Sequence, residues 1–569
     1  MVKMFGNSMM NNMMKRDWIW LILIVAGAII FRLILMTKAY AVGFDEVNYL
    51  KLAASGHING LNHVLHTYWS PFYPLAVTLF SYIIPNYELA GKLMSILSAS
   101  FIIVPLFFFV KEHFDKRTAF GASLLIAFFT YLAIFSIYAQ TEFVYSFVAI
   151  AGIISGWYAL QNKNIILSLI TGIFFGLAYL TRPEGLGFEL TFVGVTLVIL
   201  LARLVQRSGI ASYIIILVIS SIGFMAVSLP YLIYLREETG QWTISTKGAA
   251  NQQGEIYVQN MDQFDEDPHN CLSKDNKVLL QDDIYHLGTF LKSIKNDEKA
   301  NIEISYSAFL EKVFENYYKI LTEDLTKVLT IPLLLLLGIG LFVDPWTKKK
   351  SLINLYLLSY IVFFWFVLIP AFHITLRYFV PLIPISLIWA AAGANKVIDW
   401  LSGTLKIAMN GLKDNFSFRI LSTVLIILFI FGGSILPEFG KHMRKSADST
   451  DEWDPCIEQK KAGLWLKENG IKSPVIMAKN HAVSFYAGNY EIKESVTIPY
   501  NSIDRVLEYG RYRGVSYIVL NDRYRKNYPT LDYLLDQKNI PPQLKLIYFD
   551  KEKNGLRTLI YQIVMNEAG

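Results

Sequence analysis

The chain has 569 residues, 54% of them hydrophobic and only 17% charged, with a net charge of +6. A soluble protein carries about 25% charged residues, so this composition excludes one and implies a polytopic membrane protein with soluble segments. The positive balance does not mark a nucleic-acid binder, because the basic residues fall in short loops between apolar runs and report orientation.

Lys15 and Arg16 precede the first apolar run, Trp18–Met36. Signal-peptide apolar regions hold about 7 to 15 residues. This run is longer and, at about 1.5 Å per residue, crosses the hydrocarbon core. It is read as an uncleaved first helix. Eleven apolar spans follow from the hydropathy pattern, at 18–36, 89–110, 118–136, 142–160, 164–180, 185–202, 211–235, 327–343, 352–370, 379–398 and 419–437. With the N-terminus inside, nearly every inside loop is basic. Lys111, Lys116 and Arg117, then Lys163, then Arg203 and Arg207, then Lys348, Lys349 and Lys350 fall there. The short outside turns between the third and fourth spans and between the fifth and sixth hold one basic residue in total, Arg182. This orientation satisfies the positive-inside rule.

Three outside segments are long. The first, 37–88, carries Asp45-Glu46 and the aromatic stretch Tyr68-Trp69-Ser70-Pro71-Phe72-Tyr73-Pro74. Within it, 75–84 is apolar but too short to span, and is expected to lie in the interface or re-enter it. The second, 236–326, is acid-rich, with Asp262, Asp265, Glu266 and Asp267 read as a solvated loop. The third is the tail. The expected organisation is thus a transmembrane domain over 1–437 and an extracytoplasmic α/β domain over 438–569. In that tail the pattern predicts helices near 455–469, 480–487 and 501–513. It predicts strands at Pro474–Ala478 and Val515–Leu520, and a hairpin of Leu544–Phe549 with Thr558–Val564 around Asn554-Gly555. Cys271 and Cys456 have no metal or redox spacing; both fall outside, where one disulfide is an open alternative to two thiols.

Ionisable residues are scarce inside the spans and gather at their outer ends. Glu142 follows Thr141 at the start of the fourth. Arg182-Pro183-Glu184 forms a tight turn between the fifth and sixth, and His373, Arg377 and Tyr378 lie between the ninth and tenth. Lys92 is near the start of the second, and His63 and His66 lie three apart in the first outer loop, a spacing that lets them share a helix face. Boundary charge is cheaper than midplane charge, so anchoring and structural ion pairs explain any one of these residues. The whole set, of both signs, points to a site.

A sugar on a polyprenyl phosphate suits such a set. The phosphate leaves without a general acid, so the enzyme needs one carboxylate to take the acceptor proton and cations to hold the phosphate. Arginine suits the second task. The competing reading is a transporter or flippase for a lipid-linked saccharide, but transporters place charge near the midplane. Trp69, Phe72 and Tyr73 are read either as sugar-stacking rings or as interfacial aromatics.

Asp45-Glu46 after the first span, Thr141-Glu142, Leu180-Thr181-Arg182-Pro183-Glu184-Gly185 and Leu376-Arg377-Tyr378-Phe379-Val380-Pro381-Leu382-Ile383-Pro384 together resemble the GT-C membrane glycosyltransferases. The group they look like is the protein O-mannosyltransferase and lipid A aminoarabinose transferase type, over about residues 18–400. The resemblance implies an inverting transferase that takes a polyprenyl-phosphate sugar and glycosylates a lipid, glycan or protein at the outer face of the cytoplasmic membrane. Asp45 would be the base and Glu142 a second acidic position. Glu46, His63, His66, Lys92, Arg182, Glu184, Arg377 and Tyr378 are the candidates for holding donor phosphate or sugar. No cofactor is implied as obligatory, a divalent metal is left open, and no nucleic acid is expected. One departure stands out. Aminoarabinose transferases carry a Lys-Pro-Pro-type motif in the first loop, where this chain reads Trp69-Ser70-Pro71-Phe72, so a phosphate-contacting lysine is missing there.

Overall fold

The computed structural model describes residues 8–207, 209–247, 306–371, 376–408, 415–444, 457–471, 474–498 and 502–564. Cys271, Cys456, His373 and the acid-rich 262–267 run lie outside these residues. The chain divides into two compact units. One takes Met1–Thr37, Lys92–Leu229 and Ile302–Arg444, and the other takes Lys38–Gly91, Pro230–Asn301 and Lys445–Gly569.

Among the described residues nine helices are long and apolar enough to cross a membrane: Arg16–Met36, Tyr87–His113, Glu142–Asn162, Pro183–Val205, Ile210–Thr239, Leu310–Phe342, Lys348–Ala371, Leu376–Ile407 and Ser417–Met443. Lys116–Phe128 and Thr130–Ser136, bent by 52° at their junction, are together long and apolar enough for a tenth crossing. The remaining expected span, 164–180, is the Ile165–Thr181 helix, whose 17 residues fall just short of a full crossing. The protein is therefore a multi-pass, mostly helical membrane protein.

The bend has a physical cause. Phe129 adopts an extended conformation, φ −64° and ψ 107°, which stops the helical ladder in mid-span. Carbonyls released inside a membrane must find donors within the protein. Arg32, a fully buried arginine of the first span, supplies them: its Nη1 donates to Ala127 O at 2.7 Å and its Nη2 to Ile126 O at 3.0 Å. Nothing local to Arg32 in the sequence announces the broken helix it serves.

In the second unit a five-stranded sheet has the order β2-β1-β3-β5-β4, with β1 Val475–Ala478, β2 Ser495–Val496, β3 Val515–Asn521, β4 Leu544–Lys551 and β5 Arg557–Ile563. β1 pairs parallel with β2 and β3, while β5 pairs antiparallel with β3 and β4. Successive side chains on a strand point to opposite faces. Met477, Ile518, Leu559 and Tyr561 accordingly join one core, and Ile476, Val519 and Ile560 join the other. Both faces are apolar and both are covered. The Ile503–Tyr512 helix contributes Val506 and Leu507 to the first core, and the Ile457–Glu468 helix contributes Ala462 and Leu466 to the second. The short β2 was not anticipated: its two residues show no alternation to read.

The same unit contains a helix at Phe44–Asn59 and an apolar one at Phe72–Ser81, ten residues long and too short to span. They pack closely. A Cβ at Gly56 would meet Val64 Cγ1 at 2.4 Å and Thr78 Oγ1 at 2.9 Å, so only glycine fits there. Thr78 Oγ1 donates to the Ala53 carbonyl at 3.0 Å across the contact.

Candidate functional site

The sequence-selected residues fall into two clusters, one in each unit. The first is built on Pro183. A residue before proline is driven out of the helical region, and Arg182 accordingly ends the Ile165–Thr181 helix in an extended conformation, φ −151° and ψ 136°. Proline then opens a short 3₁₀ turn, Pro183–Gly185. Gly185 is obligatory in that turn, since a Cβ would come within 2.3 Å of the Ala178 and Tyr179 backbone.

This geometry directs the Arg182 guanidinium at the start of the Glu142–Asn162 helix. Its Nη1 donates to Glu142 Oε1 at 2.8 Å and to Thr141 Oγ1 at 3.3 Å. Thr141 therefore serves the arginine and makes no side-chain cap to its own helix. Arg377, on the 3₁₀ segment Leu376–Leu382, approaches the same Glu142 oxygen at 3.9 Å, and Glu184 lies 3.7 Å from Arg182 Nε. The Tyr378 ring lies under both guanidinium groups, 4.9 Å from Arg182 and 5.9 Å from Arg377.

Burial separates the two arginines. The Arg182 and Glu142 side chains are 8% and 2% exposed, whereas Arg377 keeps 31% and Glu184 30%. Arg182 is committed to a buried ion pair, and Arg377 is the more exposed of the two guanidinium groups. Glu142 Oε2 is buried and makes no hydrogen bond among the described residues. Lys92 is also buried in this unit, in the Tyr87–Phe101 helix.

In the second cluster Asp45 and Glu46 occupy the first turn of the Phe44–Asn59 helix, where carboxylates are favoured by the helix dipole. Their roles differ. Glu46 is buried, and its Oε1 accepts from the Gly43 backbone N–H at 3.0 Å, closing the helix start. Asp45 is half-buried and keeps part of its surface exposed.

The two histidines do not share a helix face. His63 is exposed on the 3₁₀ turn Leu61–Val64, with Nδ1 3.3 Å from the Gly60 carbonyl. His66 lies past that turn, and its Nδ1 accepts from the Tyr68 and Trp69 backbone N–H groups at 3.0 and 3.2 Å. Its ring thus orders the loop backbone. Trp69 and Tyr73 are buried against Tyr49, with centroids 4.9 and 5.5 Å away, so they are core residues rather than sugar platforms. The stretch without its own lysine is approached by Lys247, whose Nζ sits 5.3 Å over Tyr68 and 5.2 Å over Trp69. Residue 247 is far along the chain, so no local pattern could have nominated it. Among the described residues no three His, Cys, Asp or Glu side chains gather as a metal site.

The profile of the family described as Dolichyl-phosphate-mannose-protein mannosyltransferase matches residues 68–234. No curated protein sequence matches. Among solved structures, ArnT from Cupriavidus metallidurans in its apo state aligns at a TM-score of 0.54 and 12% identity, covering 96% of this chain and 98% of its own. The chain has the GT-C fold. A second GT-C fold structure, the Archaeoglobus fulgidus oligosaccharyltransferase in complex with Zn and sulfate, aligns at 0.55 and 14% identity, over 94% of this chain and 72% of that one. ArnT bound to undecaprenyl phosphate aligns at 0.50 and 12%, over 95% and 98%. The GT-C likeness thus extends over almost the whole chain, including the C-terminal sheet.

Proposed function

We propose that this protein transfers a sugar from a polyprenyl-phosphate donor to a lipid, glycan or protein acceptor, with inversion at the anomeric carbon. The acceptor hydroxyl or amine loses its proton to Asp45 as its oxygen or nitrogen bonds the anomeric carbon. The bond from that carbon to phosphate oxygen breaks, and polyprenyl phosphate departs with the electron pair. Arg377 holds the phosphate as its charge develops, with Tyr378 ordering the guanidinium. The buried Arg182 orients the Glu142 carboxylate through its 2.8 Å hydrogen bond. The reaction runs at the outer face of the cytoplasmic membrane, with the N-terminus inside, as the basic inside loops favour.

The observation that carries this reading is the split within the acidic pair. Glu46 is spent on its own helix, and the neighbouring Asp45 retains exposed surface. One accessible carboxylate is what a reaction with a phosphate leaving group requires. The undecaprenyl phosphate bound by the similar ArnT is the chemical class of the leaving group.

The test uses the full chain in nanodiscs with radiolabelled undecaprenyl-phosphate sugars and membrane lipid, glycan and protein acceptors, reading release of undecaprenyl phosphate. Asp45→Asn should lower the rate about 10²- to 10⁴-fold, the usual contribution of a general base, with its thermal transition unchanged. Wild-type turnover by that variant would remove Asp45 from the base role.

A further inference from the structure

The helix that carries Asp45 is held along its length by residues of the C-terminal sheet domain, all within the second compact unit. At its leading end the Val42 backbone N–H donates to the Tyr486 hydroxyl at 3.0 Å, and that hydroxyl donates to Glu88 Oε2 at 3.0 Å. Lys460 Nζ donates to the same Glu88 oxygen at 3.0 Å and to the Tyr40 carbonyl at 3.2 Å. The approach to Gly43 and Asp45 is therefore fastened at residues 40 and 42.

Along the helix, Lys51, Ser55 and Asn59 recur every fourth residue and so share one face. All three meet Glu491 and its neighbours. Lys51 Nζ, completely buried, donates to Ser484 Oγ at 2.9 Å, to the Glu491 carbonyl at 3.2 Å, and to Ser495 Oγ. The Glu491 carboxylate accepts from Asn59 Nδ2 at 2.9 Å and Ser55 Oγ at 3.3 Å. On another face, Tyr49 packs against Trp69 and Tyr73.

Apolar packing alone would hold this helix at lower cost, since burying an ammonium carries a large desolvation penalty. What the buried lysine adds is direction. Its hydrogen bonds fix the rotation of the helix about its axis, and rotation is what aims a first-turn side chain. A chemical step is sensitive to such aim, because a misplacement of about 1 Å can cost 10²-fold in rate.

We propose that the 484–495 stretch of the C-terminal domain positions Asp45, with Lys51, Tyr486 and Glu491 as positioning residues. This rests on the reading of Asp45 as the base. The domain then has a defined part in the reaction: it sets the angle of the base without touching the reacting atoms.

The experiment compares wild type, Lys51→Met, Tyr486→Phe and Asp45→Asn, each as the full chain in nanodiscs. Amide hydrogen exchange is read over residues 42–59 and over β3. Turnover is read with undecaprenyl-phosphate mannose and the other undecaprenyl-phosphate sugars, and binding with undecaprenyl phosphate alone. The expected result for both positioning variants is exchange over 42–59 about tenfold faster with β3 unchanged. It is joined by a kcat about tenfold lower, and a KM and undecaprenyl phosphate affinity within about twofold. Tyr486→Phe removes a single hydroxyl and keeps the test decisive if Lys51→Met fails to fold. Unchanged exchange, or faster exchange with wild-type kcat, overturns the positioning role alone. Wild-type turnover by Asp45→Asn overturns the base assignment and this inference with it. If no undecaprenyl-phosphate sugar is turned over by the wild type, the donor reading falls and with it the proposed role in the reaction.

Discussion

Glu142 and Lys51 are both buried charges, one in each compact unit, and they find their partners at very different distances along the chain. Glu142 is met by Arg182, 40 residues on. Lys51 is met by Ser484, Glu491 and Ser495, at separations of 433 to 444 residues. The first arrangement is the work of two adjacent spans and one proline. The second exists only when the two ends of the chain have come together. A short-range ion pair needs little beyond its own turn, whereas the Lys51 anchor makes the Asp45 helix depend on a whole domain.

The largest stability effect expected from testing this contrast is at Glu142. Glu142→Gln replaces the 2.8 Å ion pair of the buried Arg182 by its longer 3.7 Å contact with Glu184, and breaking such a buried pair costs about 3 to 5 kcal/mol. A lowered thermal transition in detergent checks it, and the double variant Glu142→Gln with Arg182→Met should recover most of the loss. Recovery would show that the pair is a self-contained unit.

Lys51→Met should cost less, about 2 kcal/mol, because it takes a donor from two buried hydroxyls and a carbonyl but leaves no buried charge behind. Its signature should be uneven: differential exchange concentrated in 42–59 instead of a uniform shift. Glu46→Ala should cost about 1 kcal/mol, the usual worth of a helix cap, with turnover reduced far less than in Asp45→Asn. A loss equal to that of Asp45→Asn would erase the distinction between the two acids.

The smallest effect is a pH dependence in the sheet domain. The Arg557 guanidinium, 3.0 Å from Asp536 Oδ1, holds that carboxyl below its ordinary range. A depressed folded value means stabilisation that is present above the unfolded pKa of about 3.9 and is lost as the pH falls through the folded value. Because the pair is partly exposed, screening keeps the contribution small. Acid melts of wild type should fall slightly more steeply below about pH 4 than those of Asp536→Asn.

The distance of partners also explains what could be read from residues alone. The eleven apolar runs each correspond to a helix, because apolar length is a local property. Ile165–Thr181 and the bent Lys116–Ser136 pair depart in length and straightness, and the run expected at 327–343 belongs to the longer Leu310–Phe342, which takes in the end of the expected 236–326 loop. Val475–Ala478, Val515–Asn521 and the final hairpin were legible through their β-branched and aromatic runs. The turn at Arg182-Pro183 was legible for the same reason. The helix at Phe44–Asn59 was not, because its face of Lys51, Ser55 and Asn59 looks solvated until Glu491 is placed against it. The periodic polar stripe was the available signal. Arg32 and Lys247 offered none, since one answers a bend in another span and the other meets rings near residue 68.

The link from Val42 to Tyr486 spans 444 residues. At a synthesis rate of about 5 to 20 residues per second, the helix bearing Asp45 emerges roughly 20 to 90 s before the tyrosine that fastens it exists. The membrane spans can be inserted during that interval, while the Phe44–Asn59 helix still lacks its contacts with residues 484–495. A chain that stops short of residue 486 would therefore carry the Phe44–Asn59 helix without the contacts that set its orientation.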